Sequence, residues 1–429
     1  MITKHIHKLK QSSLFKDSFW SVLGNVAGHG LALIAGIIIA RFLGKEIFGE
    51  YGMIKATLLN IAVFSTFGLG FTATKFIAEA KNKAQGHILQ IVKGSMSITL
   101  VTSISFALLL FIFSKQIAVY LNAEHLSFAL RIFAVNIVFN AISTVQIGIL
   151  AGFKAFKQIA INNGIAGIAT FTLSVALTYY WGLEGALTAL LLATMLRCVL
   201  NGLVVQKKVQ VCLQTEEKTS VVTKQLLSFS LPIALHEGVQ SFTGWLLVLL
   251  LLKLTNFGEV ALYSISQQWA MVVLFVPGVL RNVTLSHLSN TNDNSTQNKK
   301  VFKTMIAINF LATFVPFLIV FSLSSYIASF YGNDFADLPK VLNIAVFTSV
   351  INALSSVYRQ DYIAKNMNWT MFGIKLFRDV GIFMLIYFFL HIRQESQGAY
   401  YVALSMLIMY ALALILMHCI YVINQRKKQ

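Results

Sequence analysis

Helix-length apolar windows follow one another almost without interruption along this chain, and they decide what it can fold into. A bilayer leaves no water for exposed backbone N–H and C=O groups, so a crossing segment must be a helix of about 20 predominantly apolar residues or a strand in a closed barrel. Bounded by charges and by Gly, Pro and Asn clusters, the windows are 17–43, 48–78, 88–113, 126–151, 158–181, 183–205, 226–252, 257–285, 302–331, 340–364, 368–391 and 397–423. Long unbroken runs such as Leu31–Ala40, Ile98–Phe113 and Phe310–Phe321 lie inside them. Twelve spans describe an all-α polytopic membrane protein. Only 12% of the 429 residues are charged, half the share that solvates an ordinary soluble surface, which excludes a soluble enzyme and a secreted scaffold. Cys198, Cys212 and Cys419 are scattered and odd in number, so they form neither a disulfide framework nor a metal site.

A formal charge of +18 suggests nucleic acid until its distribution is considered. Nineteen Lys and Arg residues fall in loops and span ends on the N-terminal side. Five (Lys45, Lys115, Lys253, Lys340 and Arg393) fall on the other. Positive charge concentrates in cytoplasmic loops, so both termini are expected in the cytoplasm and no nucleic-acid partner is needed. The basic N-terminal stretch leads into a run too long for a signal peptide, which reads as a retained first span.

The chain repeats at an offset of about 210 residues. Leu130–Val145 set against Leu342–Val357 shares seven of sixteen residues, Asn140 and Asn352 among them, and Phe48-Gly49-Glu50 recurs as Phe257-Gly258-Glu259. Two six-helix bundles, 1–212 and 213–429, follow from this. Parallel repeats of this kind place a substrate site near the midplane and work by alternating access.

Charges inside the spans are the candidate site. Arg41, Lys75, Lys93, Arg131, Arg281 and Arg359 lie within about two turns of a span end, where a long side chain snorkels to the interface. Lys55, Arg197, Lys375 and Arg378 are deeper, where a cation costs at least about 2.5–3.5 kcal/mol unless it faces protein or water. Lys375, Arg378 and Asp379 stand at i, i+3 and i+4, on one side of a helix. Either cation can pair with Asp379, as a structural salt bridge or as part of an anion site. In the seventh span Pro232 precedes His236 and Glu237, where a kinked backbone beside titratable groups suits ion coupling as well as packing. Asn25 and His29 share one face of the first span, and Asn140 and Asn352 read as interhelical hydrogen bonds. Pro277 and Pro316 are expected to bend the eighth and ninth spans. The deep charges sum to an excess of cations, which an anionic headgroup such as a diphosphate would balance.

Gly24-Asn25, Ala40-Arg41-Phe-Leu-Gly44, Phe48-Gly-Glu-Tyr-Gly52 and Phe67-Gly-Leu-Gly70 to Lys75-Phe-Ile-Ala-Glu79 together resemble the polysaccharide/oligosaccharide flippase family of the multidrug/oligosaccharidyl-lipid/polysaccharide exporter superfamily. Ser230-Leu-Pro232 and Phe257-Gly-Glu to Tyr263 extend the likeness. The resemblance implies a V-shaped, twelve-helix alternating-access transporter with a cationic cavity in a bacterial inner membrane, not an enzyme. Such a protein moves an undecaprenyl-diphosphate-linked oligosaccharide, an O-antigen or capsule unit, from the cytoplasmic to the outer leaflet. Transport is coupled to H+ or Na+, with no cofactor and with the polymerase and chain-length machinery as further partners. On this reading Arg378, Lys375, Lys55, Arg197, His29 and Asn25 meet the substrate, and Glu237, Asp379 and His236 couple the ion. The alternatives are a multidrug or small-solute antiporter, which favours acidic cavities, and a membrane polysaccharide polymerase, for which the outer loops offer little room.

Overall fold

Two glycines break what would otherwise be helices twice the depth of a membrane. A computed structural model describes residues 13–83, 87–121, 123–210, 220–290, 295–365, 367–392 and 397–426. Helix α1 (Ser13–Thr66) turns at Gly44, with φ +74°, and α6 (Phe156–Gln210) turns at Gly182, with φ +55°. Positive φ is cheap only without a Cβ, so glycine sits where one span ends and the next begins. At 54 and 55 residues and 1.5 Å rise per residue, each helix is two crossings end to end.

The remaining elements are α2 (Leu69–Lys83), α3 (Ile88–Ile112), α4 (Ser114–Tyr120), α5 (Ser127–Gly152), α7 (Ser220–Leu254), α8 (Phe257–Val273), α9 (Phe275–Asn290), α10 (Ser295–Tyr331), α11 (Leu338–Ala364), α12 (Asn368–Ile392) and α13 (Gly398–Arg426). Splitting α1 and α6 at their glycines, and joining α1 to α2 and α8 to α9, reproduces the order of spans read from the sequence. The α8–α9 junction bends by 52° at Leu274. Pro277 falls in the first turn of α9, where its missing N–H has no helical acceptor to lose. Pro316 lies inside α10, which continues through it as one helix.

Two compact units are formed. The first comprises residues 1–43 with 53–248, and the second 44–52 with 249–429. The sequence repeat places its division at residue 212, whereas the seventh span packs with the first unit as far as Val248.

Small residues set the packing distances inside each unit. In the first, a Cβ on Gly148 of α5 would lie 2.1 Å from the Gly70 carbonyl oxygen of α2, so the backbones are in direct contact. Such close approach is how membrane helices associate without a hydrophobic driving force. Thr74 Oγ1 donates to the Gly148 carbonyl at 2.8 Å across the same contact. Leu69, Ala73, Ile77, Val145, Ile149 and Leu226 then fill the core around it.

In the second unit the two copies of the Phe-Gly-Glu motif meet each other. A Cβ on Gly49 would fall 1.8 Å from the Phe257 carbonyl oxygen. The Gly258 N–H donates to Glu46 Oε2 at 2.9 Å. Glu259, 7% exposed, accepts from the Ala399 N–H at 2.7 Å, and its Oε1 lies 4.0 Å from Lys45 Nζ. Asn256 caps α8 by accepting from the Glu259 N–H at 3.0 Å. The repeated motif is therefore a joint in which carboxylates satisfy helix N-termini.

Candidate functional site

The second unit gathers arginines at membrane depth. On α12, Arg378 donates from Nε and Nη2 to Asp379 Oδ1 at 2.8 and 2.6 Å, with both side chains largely buried. Of the two pairings left open by the spacing, this is the one formed. The Arg378 guanidinium also lies over the ring of Tyr410 on α13, 4.5 Å from its centroid, so the ring's negative face shares in holding the charge. Asp379 thus orients Arg378 without neutralising its neighbours.

Those neighbours were hidden in the sequence. Arg359, on α11, lies within electrostatic range of both Arg378 and Arg281 of α9. Arg359 Nη2 donates to Asn352 Oδ1 at 3.2 Å, two turns back on its own helix. Asn352 therefore forms an intrahelical bond rather than the interhelical one expected. The position of Arg359 near a span end suggests snorkelling, while its guanidinium bonds an amide two turns closer to the middle of α11. The heptad spacing of Asn352 and Arg359 on one helix face was the available signal. Arg359 thus lies within electrostatic range of two further arginines, of which Arg378 contacts Asp379. Lys375 is half-buried on the same helix.

A separate polar network occupies the first unit. Arg197 Nε donates to Ser143 Oγ at 3.0 Å, Asn201 Nδ2 reaches the same oxygen at 3.4 Å, and Asn162 Nδ2 donates to Asn201 Oδ1 at 2.9 Å. Among the described residues no carboxylate pairs with Arg197. Its Nε is held by the neutral Ser143 hydroxyl, which the Asn201 amide shares.

Around Pro232 the first unit also contains a broken span. Between α1 and α2 the backbone leaves the helix at Phe67, φ +50°, and Gly68, φ +67°. A Cβ on Gly68 would be 3.0–3.1 Å from Ile233 and from the Ala234 amide, so the break lies against the turn of α7 that holds Pro232. The Ser65 carbonyl accepts from Thr102 Oγ1 at 2.6 Å, and Thr72 Oγ1 bonds Ser230 Oγ at 2.7 Å. Broken helices persist in membranes where such side chains satisfy the freed groups. Glu237 is half-buried on α7, beside Gly238, which packs against Phe64. Lys55 is half-buried on α1. The side chains of Asn25, His29 and His236 lie outside the described residues.

Comparison with known proteins agrees with this architecture. An uncharacterized membrane protein of Methanocaldococcus jannaschii is 22% identical over 68% of this chain and 72% of its own. A putative O-antigen transporter of Shigella flexneri is 21% identical over 80% of this chain and 83% of its own. An inward-facing multidrug resistance MATE family transporter of the MOP superfamily superposes with a TM-score of 0.79 at 15% identity, covering 95% of both chains, which establishes the fold. Residues 14–279, well over half of the chain, match the family described as polysaccharide biosynthesis protein. This multi-pass membrane protein, built on the fold of the MOP-superfamily transporters, belongs to the polysaccharide biosynthesis protein family.

Proposed function

We propose that this protein is a flippase that carries an undecaprenyl-diphosphate-linked oligosaccharide from the cytoplasmic to the outer leaflet of a bacterial inner membrane, with both termini cytoplasmic. The observation that carries the reading is Arg359 within electrostatic range of Arg378 and Arg281, with Asp379 contacting Arg378 alone of the three among the described residues. Guanidinium groups donate in a planar fork that matches phosphate oxygens, and their hydrogen bonds strengthen where water is excluded. A diphosphate supplies the negative charge that this region lacks. Arg378, with Lys375 and Lys55, draws in the headgroup, while Arg197 offers a further cation, hydrogen-bonded to the Ser143 hydroxyl. The polyprenyl tail stays in lipid as the sugars pass through water.

Alternating access requires a group whose charge changes with the driving ion. Glu237 fills that role, half-buried beside the Pro232 turn and the broken span, with Asp379 and His236 as the other titratable groups in reach of the transport cycle. Glu237→Gln is expected to abolish the dependence of transport on a cation gradient. Full retention of that dependence would remove Glu237 as the coupling group.

The decisive experiment is mass spectrometry of lipid-linked intermediates, with their sidedness probed, in cells lacking the protein. A diphosphate-linked oligosaccharide confined to the cytoplasmic leaflet is expected. Complete units accumulating outside would indicate a polymerase. New sensitivity to lipophilic cations without any accumulation would indicate a drug antiporter, the function named for the superposed MATE structure.

A further inference from the structure

One face of α10 changes character along its length in a way that matches a particular kind of lipid. Lys299, Lys303, Phe310, Phe314, Phe317 and Phe321 recur at steps of three, four or seven residues and so share that face. Lys303 is exposed at one end. Beyond it the four phenylalanine rings follow one another with centroids 4.8, 5.8 and 5.7 Å apart, the first pair stacked at 16°. Phe347 of α11 meets Phe317 at 5.3 Å, so the row runs beside the neighbouring helix. It is open to its surroundings, with Phe310, Phe321 and Phe347 exposed and Phe314 and Phe317 half-buried between them.

Helices that face lipid are apolar as a rule, so exposure alone selects no occupant. Spacing, length and charge do. An isoprenoid chain carries a double bond and a methyl branch once in every four backbone bonds, roughly 4.5–5 Å in an extended chain. That repeat is close to the interval between the rings, whose negative faces attract C–H groups. A saturated acyl chain has no such repeat.

At 1.5 Å per residue the row begins about 10 Å from Lys303 and ends about 27 Å from it. In a hydrocarbon core about 30 Å thick, a phospholipid chain reaches only about 15 Å from its own surface. It would leave most of the row bare. A polyprenyl chain that passes the midplane covers all of it, and Lys299 and Lys303 then stand where its anionic headgroup emerges.

We infer that this face of α10 is a docking track for the tail of a polyprenyl diphosphate, on which the chain lies against the protein while still bathed in lipid. The inference rests on the flippase reading and adds a site for the part of the substrate that the arginines do not touch.

The test uses purified full-length protein in nanodiscs and two photoreactive probes, a long-chain polyprenyl diphosphate and a phospholipid, each with a diazirine within its chain. Peptide mass spectrometry after irradiation is expected to place the polyprenyl label on residues 310–321, and the phospholipid label evenly over the exposed helices. The double variant Phe314→Leu/Phe317→Leu keeps the face apolar and should cut the polyprenyl label there by about three- to tenfold, the worth of the aromatic contacts. Equal labelling of α10 by both probes means a face that takes any lipid, and overturns the track. Undiminished labelling of the variant overturns it equally. A polyprenyl diphosphate that binds but labels other helices overturns the track while the flippase reading stands. If it does not bind at all, the flippase reading fails and the track with it.

Discussion

Replacing Glu259 tests whether the repeated Phe-Gly-Glu motif is the joint that the geometry describes. Its carboxylate is nearly buried, accepts from the Ala399 N–H at 2.7 Å, and lies 4.0 Å from Lys45 Nζ. Ala399 is in the first turn of α13, so its amide is one of the four that a helix cannot satisfy internally. A hydrogen bond to a charged acceptor contributes about 1.5–3 kcal/mol. The negative charge against the helix N-terminus adds about 0.3–1 kcal/mol. Lys45, farther away and partly exposed, adds little. Glu259→Ala should thus destabilise the start of α13 by about 2–4 kcal/mol, a loss of roughly 30- to 1,000-fold in local protection. Glu259→Gln keeps an oxygen acceptor and should lose about half as much. Hydrogen–deuterium exchange of a peptide covering residues 397–403, in nanodiscs, reads this directly. Unchanged protection in Glu259→Ala, or equal losses in the two variants, would refute the capping argument.

Further perturbations separate packing from charge. Gly148→Ala places a methyl 2.1 Å from the Gly70 carbonyl oxygen and should cost about 3 kcal/mol, whereas Gly244→Ala enters open space and should gain about 0.5–1 kcal/mol. Thermal denaturation of the detergent-solubilised variants orders them. Lys365→Met removes the cation 2.6 Å from the Asp361 carboxylate, whose side chain is 1% exposed, and should destabilise by about 3–5 kcal/mol. The Lys365→Met/Asp361→Leu double variant should recover most of this in the same melt. Arg378→Ala should abolish prenyl diphosphate binding, and Asp379→Asn should retain it. Wild-type binding by the neutral double variant Arg378→Ala/Asp379→Asn would make the pair purely structural.

What could be read from the chain divides along the range of the interactions involved. Span order was legible because hydrocarbon permits so few backbone conformations, and Gly44 and Gly182 break their helices between the windows that hydropathy separates. The Phe67–Gly68 break escaped notice because apolar residues continue through it. What holds it open is Thr102 on another helix and the backbone beside Pro232. Arg378 and Asp379 were legible as adjacent charges in an apolar segment. Arg359 was not, since depth counted in residues from a span end says nothing of which neighbour a long side chain finds. Here it finds Asn352, within electrostatic range of Arg378. A polar residue shared by both repeats at equivalent positions, Asn140 and Asn352, thus need not do the same work in each. In the second unit its role depends on an arginine seven residues on, where the first unit has Ile147 at the equivalent step, with α5 continuing to Gly152.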